Sequence, residues 1–201
     1  MQSLSEIDTT SKRASRAAGF SWGVAEEIGK AIRSLELFGL YGVKNLNLYI
    51  NKIGKNHPEK INKVDQENKN KELCPIYCGV AFLDQCQKLE TLKNIKFYNV
   101  NYPILILPFI SKASEILGKK ILIQFNKSSF LMNFNKSILS KNLEKQVIDL
   151  TDEISVKFLE NKNSFSDNDW KELYKLSEKT FVEESDSLKA KGAGAGLTDN
   201  D

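Results

Sequence analysis

The residues with most to offer chemically stand near the two ends of the chain. Arg13, Arg16 and Arg33 are the only arginines among its 29 basic side chains. A guanidinium presents a planar fork that grips a carboxylate at two points, which an ammonium cannot do. Arg13 and Arg16 are three apart and share a helix face, where together they can bind an anion, and all three arginines are anion-binding candidates. The competing expectation is that they pair with Glu26, Glu27 or Glu36 on the next helix, since structural ion pairs outnumber ligand sites. The second set is GAGAGLTDND. Gly192, Gly194 and Gly196 alternate with alanines and let the backbone pass through a narrow slot. Leu197, Thr198, Asp199, Asn200 and Asp201 follow. The two aspartates and the terminal carboxylate suit a metal, an Arg/Lys cluster or a helix N-terminus as receiver. Composition of this kind favours disorder, and ordering ten such residues costs on the order of 10–20 kcal/mol. An ordered tail therefore needs a groove to lie in.

Other candidates carry less. His57, the sole histidine, lies in a polar stretch with no orienting partner. Cys74, Cys78 and Cys86 follow C-x3-C-x7-C, which is no zinc or iron–sulfur spacing. Their odd number argues against a disulfide framework, and Cys78 and Cys86 fall on one helix face as small apolar core residues. No metal and no cofactor is expected. The sequence holds no G-x-G-x-x-G, phosphate loop, H-E-x-x-H or G-x-S-x-G.

The elements that must position these residues are signposted unevenly. Ser3 and Glu6 have capping-box spacing, and Gly19 ends the first helix. Ser21 caps a second, closed by Gly39, and Gly42–Ile53 reads as a third, ended by Gly54. Residues 55–71 read as a long polar surface loop. Pro75 leads a helix through Leu89, and Ile95–Val100 reads as a strand. A further helix is expected from near Leu107 to Gly118. Lys120–Phe125 and Phe130–Phe134 form a hairpin about Asn126-Lys127-Ser128-Ser129. Val147–Leu150 with Ile154–Leu159 make a second pair. Ser166-Asp167-Asn168-Asp169 opens a closing helix that carries Trp170, Leu173, Tyr174, Leu176 and Phe181. The class is α+β: a three-helix segment, a small mostly antiparallel sheet with helices, a closing helix and an extended tail. One domain is expected over 1–191, with a helical opening at 1–54 and an α+β body at 72–182, followed by the tail at 192–201.

Composition bounds the function. A net charge of +3 from 29 basic and 26 acidic residues, with no dense basic stripe, points away from nucleic acid. No apolar run reaches the length of a membrane span. The first residues lack the basic start and apolar stretch of a signal peptide, so a cytoplasmic location is expected. Small residues are also unevenly placed. Ten of the Gly and Ala residues fall between Ala14 and Gly42 and six between Ala190 and Gly196, with five in the 147 residues between.

Ser3-Leu4-Ser5-Glu6-Ile7, then Ala17-Ala18-Gly19-Phe20-Ser21-Trp22-Gly23-Val24-Ala25-Glu26-Glu27, and the closing GAGAGLTDND resemble an uncharacterised bacterial family, a domain of unknown function. The likeness extends more loosely to Cys74-Pro75-Ile76 and Pro103–Gly118. It implies that the tail belongs to the family pattern, and it brings no reaction. Where the family tends to place a proline after the valine matching Val182, this chain has Glu183. A fainter likeness links the first helices to the malate/L-lactate dehydrogenase-like family. Its Ser-His-Gly element has no counterpart in Gly42-Val43-Lys44-Asn45-Leu46, so no activity or nicotinamide site is carried over. The expected function is a non-catalytic accessory subunit that inserts its tail into a metabolic enzyme or another copy. The alternative is a small-molecule enzyme closed by its own acidic tail.

Overall fold

The computed structural model describes residues 2–54, 56, 58, 60–135, 137–143, 146–160 and 162–180, and the chain divides into two units, Met1–Asn161 and Lys162–Asp201. In the first, Ser3 and Glu6 make the expected reciprocal capping box at the head of α1 (Leu4–Ala17). The backbone N–H of Ser3 donates to Glu6 Oε2 at 2.8 Å, and that of Glu6 to Ser3 Oγ at 3.2 Å, satisfying donors a free helix end leaves open. Gly19, at φ 99°, turns the chain into α2 (Trp22–Leu37), capped by Ser21. The two helices run antiparallel and touch through small residues. Only Ser11 and Ser15 of α1 are buried, and a Cβ on Gly29 would stand 2.7 Å from the Asp8 carbonyl oxygen. Gly39, at φ 67°, ends α2 before α3 (Gly42–Ile53).

The sheet follows from period-two burial. It holds β1 (Glu67–Asn68), β2 (Asn94–Asn101), β3 (Lys120–Phe125), β4 (Ser128–Asn133), β5 (Ser137–Lys141) and β6 (Leu150–Leu159), in the order β1-β2-β6-β3-β4-β5. The β1–β2 pair is parallel and the others are antiparallel. Ile95, Phe97, Ile121, Ile123, Phe130, Met132, Ile154 and Val156 form its buried face. Helices α4 (Pro75–Leu89) and α5 (Leu107–Leu117) cover that face, giving two layers around one core. Asn99, at φ 55°, breaks the alternation of β2, so that Val100 and Asn101 are both buried. The expected α+β class and all the helices of the opening and body are present.

Three strand expectations are corrected. Val147–Leu150 and Ile154–Leu159 are not a hairpin, because β6 runs unbroken through Thr151-Asp152-Glu153 as a central strand paired on both edges. The two acidic residues mimic a turn, yet Glu153 lies opposite the β2 edge and accepts from Lys96 Nζ at 3.0 Å. The β3–β4 loop is shorter than expected. Ser128 pairs with Phe125, leaving Asn126 and Lys127 as a two-residue turn with Asn126 at φ 51°. Finally, the short β1 lies within the stretch read as a loop, and β5 occupies a stretch where no strand was read.

The second unit is described over 162–180. Ser166 and Asp169 form a capping box at the start of α6 (Asp167–Ser177), as the acidic first turn predicts. Phe165 stacks on Trp170 at 5.6 Å, and within this unit none of the described residues is buried. Phe181 and residues 192–201 lie outside the described residues.

Candidate functional site

The structure does not bring the three arginines to one point. Arg16 Nη1 donates to the Phe20 carbonyl at 3.2 Å, and its guanidinium stands 5.4 Å over the Trp22 ring. These contacts hold the α1–α2 turn. Arg33 faces Asp8 at 3.9 Å, and Asp8 lies eight residues from Arg16, about 12 Å along α1. Arg13 is exposed on the same helix. The glutamates expected as arginine partners serve other groups. Glu26 pairs with Lys12 and Lys30, Glu27 with Lys30 and Lys112, and Glu36 accepts from the Val43 backbone N–H at 2.8 Å. Burial by itself would raise the Glu27 carboxyl. The hydrogen bonds from Lys30 and Lys112 outweigh it and hold the group below its ordinary range.

A denser polar cluster forms where the opening meets the body. Tyr49 and Lys52 lie on α3, Glu72 and Cys74 lead into α4, and Asn101 ends β2. Together with Asn56 they line a cavity of about 210 Å³, with Ile53 and Pro58 as apolar wall. Its rim is a three-membered network. Lys52 Nζ donates to Asn101 Oδ1 at 2.6 Å and stands 3.4 Å from Glu72 Oε2, while Asn101 Nδ2 donates to the same Glu72 oxygen at 2.9 Å. The hydrogen bond from Asn101, with the Lys52 charge, holds the Glu72 carboxyl below its usual range. Its floor is buried: Tyr49, Cys74 and Asn101 are 1%, 3% and 6% exposed.

Cys74 is the N-cap of α4, and Pro75 at the first helical position explains why the chain turns there. The Cys74 sulfur accepts from the Tyr77 backbone N–H at 3.5 Å. Burial nevertheless dominates and pushes the thiol up to about 11. Cys78 and Cys86 are raised as well, again chiefly by burial. All three are free thiols that pack as core residues, in line with the sequence reading. Tyr49 differs from them. Its hydroxyl faces the Cys74 sulfur, a weak acceptor, and has no nitrogen or oxygen partner among the described residues. Nothing in the sequence marks this cluster beyond Tyr49 and Lys52 at i, i+3 and the Cys-Pro helix start.

Among the described residues no group of three or more His, Cys, Asp or Glu could hold a metal ion. No described helix is long and apolar enough to cross a membrane. His57 and the tail candidates Gly192, Gly194, Gly196, Leu197, Thr198, Asp199, Asn200 and Asp201 lie outside the described residues. Asn45, in the stretch with the faint dehydrogenase likeness, is fully buried. It donates to the Tyr41 and Gln146 carbonyls at 2.8 and 3.0 Å, which is a packing role.

No curated protein and no solved structure matches the chain. The residues of the opening do find a family, and the matched span carries the Ser3–Ile7 and Ala17–Glu27 motifs through Cys74-Pro75. Residues 2–75, the three helices and the lead into α4, match the family described as Protein of unknown function (DUF3726).

Proposed function

We propose that this protein is a non-catalytic accessory subunit. It docks its C-terminal segment, Gly192–Asp201, into a partner enzyme or another copy of itself. The observation that supports this reading is the surface of the three-helix opening. Leu37 at the end of α2 and Val43 at the start of α3 are 61% and 46% exposed, with Leu4, Phe38 and Tyr41 exposed at the same end. Large apolar side chains gathered on a well-capped helical element mark a protein contact, and they sit within the family-matched span. Such a surface supplies affinity, and the acidic tail adds a second point of attachment that raises it further. The test is capture from native-host lysate with the full chain, a chain ending at Lys191, and Leu37→Glu. Loss of the same partner with both altered chains supports the reading. Equal retention by the chain ending at Lys191 overturns the role of the tail.

A second reading is a small-molecule enzyme whose acidic tail closes over its own active site. There Arg13, Arg16 or Arg33 would hold an anionic substrate and the terminal aspartates would act as acid and base. The polar cavity lined by Tyr49, Lys52 and Glu72 favours a small-molecule site, with none of the arginines in its described lining. Under this reading, Asp201→Asn abolishes turnover and leaves assembly unchanged.

A further inference from the structure

We propose that the cavity between α3, the start of α4 and the end of β2 is a binding site for a small monoanion, a carboxylate that also carries a hydrogen-bond donor. This site is independent of the docking reading, since it uses neither the tail nor the exposed end of the helical opening. Its starting point is the buried hydroxyl of Tyr49 in this cavity, which has only the weakly accepting Cys74 sulfur beside it and no nitrogen or oxygen partner among the described residues. A buried polar group left unpaired costs stability, and native proteins resolve nearly all such groups with protein, water or ligand. The cavity, about 210 Å³, equals roughly seven water volumes. That space holds a molecule of a few heavy atoms in addition to solvent.

The lining sets the ligand's chemistry through what each group has left to give. Tyr49 has an O–H to donate. The Lys52 ammonium has three N–H groups and directs them toward Asn101 and Glu72, leaving donor capacity open to the cavity. The Cys74 thiol stays protonated and is a weak donor. The positive end of the 15-residue α4 lies at the same place. Unspent donors call for an acceptor, and an acceptor beside a helix N-terminus is favoured when negative. One acceptor stands against these donors. Both hydrogen-bonding contacts to Glu72 fall on Oε2, so Oε1 at the rim is available to a ligand O–H or N–H.

Charge decides between anion types. Among the described lining residues the charges of Lys52 and Glu72 oppose each other, which leaves the helix end, equivalent to about half a positive charge, as the remaining field. That balance suits a single negative charge, and it disfavours a phosphate dianion, which would meet the Glu72 carboxylate uncompensated. A hydroxycarboxylate of two to four carbons fulfils every condition: carboxylate toward Tyr49 and Lys52, hydroxyl toward Glu72.

The experiment uses the full chain with glycolate, acetate and inorganic phosphate as probes, followed by backbone amide NMR shifts at Ile76, Tyr77 and Asn101. Saturable shifts are expected with glycolate, and weaker binding with acetate, which lacks the donor. In Tyr49→Phe, glycolate binding falls by at least about tenfold, the loss for one hydrogen bond to a charged group. Tyr49→Phe keeps the ring and removes only a hydroxyl without a nitrogen or oxygen partner among the described residues, so its own thermal midpoint should equal or exceed the parent's. Lys52→Met is the second variant. It lies at the rim, removes the charge and should also abolish glycolate binding. Phosphate binding more tightly than glycolate would overturn the monoanion assignment. Unchanged glycolate binding in Tyr49→Phe, or no shift with any probe because the cavity holds water only, would overturn the site.

Discussion

Two glycines on helices invite the same substitution and should answer with opposite signs. Gly23, in the first turn of α2, has nothing within 4 Å of where a Cβ would stand. Gly79, in the middle of α4, would place its Cβ 2.5, 2.6 and 2.9 Å from Cδ2, Cγ and Cβ of Phe109 on α5. Replacing a helical glycine by alanine gains about 0.4–1 kcal/mol, mainly by restricting the unfolded chain. Gly23→Ala keeps that gain, at the lower end because it lies near a helix start, so about +0.5 kcal/mol is expected. Gly79→Ala has the gain and an overlap of roughly 1 Å against it. The overlap falls on the root of the Phe109 side chain, so no rotation of the ring relieves it. Phe109 is 3% exposed and has nowhere to go, so α4 and α5 must separate. Overpacking of this kind costs about 1–3 kcal/mol, which leaves Gly79→Ala destabilised by roughly 1–2 kcal/mol. The two variants should therefore differ by about 2 kcal/mol, or roughly 4–8 °C in midpoint for a chain of this size. Urea titrations with thermal melts, read by far-UV circular dichroism, measure the gap. If Gly79→Ala matched or exceeded Gly23→Ala, the close contact between α4 and α5 would be refuted, and with it the packing that places Cys74.

Further outcomes follow from the caps, the arginines and the thiols. Ser3→Ala removes the acceptor for the Glu6 amide and should cost about 1 kcal/mol, measured as a fall in urea midpoint with unchanged slope; no change would mean that the start of α1 contributes nothing to the unit. Arg16→Ala should cost up to about 1 kcal/mol through the Phe20 and Trp22 contacts, and shift Trp22 emission, whereas Arg13→Ala should stay within about 0.5 kcal/mol. The Cys74 thiol ionises near its ordinary value of 9.0 when unfolded and at about 11 when folded. Its folded pKa is raised, so the unfolded chain releases its proton first as pH rises. Stability is thus full below about pH 9 and declines toward pH 11, by on the order of 2–3 kcal/mol from this group. Urea midpoints at pH 8 and pH 10.5 test this, and a flat profile would refute the burial of the thiol.

What could be read from the sequence follows from where the determining contacts lie. The opening was legible because each of its signals is local. Ser3 and Glu6 are three apart, Ser21 precedes its helix, and Gly19 and Gly39 adopt the positive φ that ends one. Strands depend on partners, and there the reading slipped. Ser137–Lys141 buries only Ile138 and owes its strand to pairing with β4. Asp152-Glu153 looks like a turn until Lys96 is placed across from it. Arginine pairing failed for the same reason. The choice of Asp8 for Arg33, and of Lys12, Lys30 and Lys112 for the glutamates, depends on how α2 is rotated against α1 and α5. The cavity was the least legible feature, since its polar residues come from three segments separated by about twenty to thirty positions. Five of the six, Tyr49, Lys52, Asn56, Glu72 and Cys74, lie within the family-matched span, and Asn101 comes from the body. The break in alternation at Asn99 is what turns Asn101 inward to join them. The matched segment therefore carries most of a site that only the sheet completes, and the Asn101 amide is the joint between the two. Asn101→Ala would remove the partner that Lys52 and Glu72 share while leaving every helix intact, and so isolates the contribution of the body to whatever the opening binds.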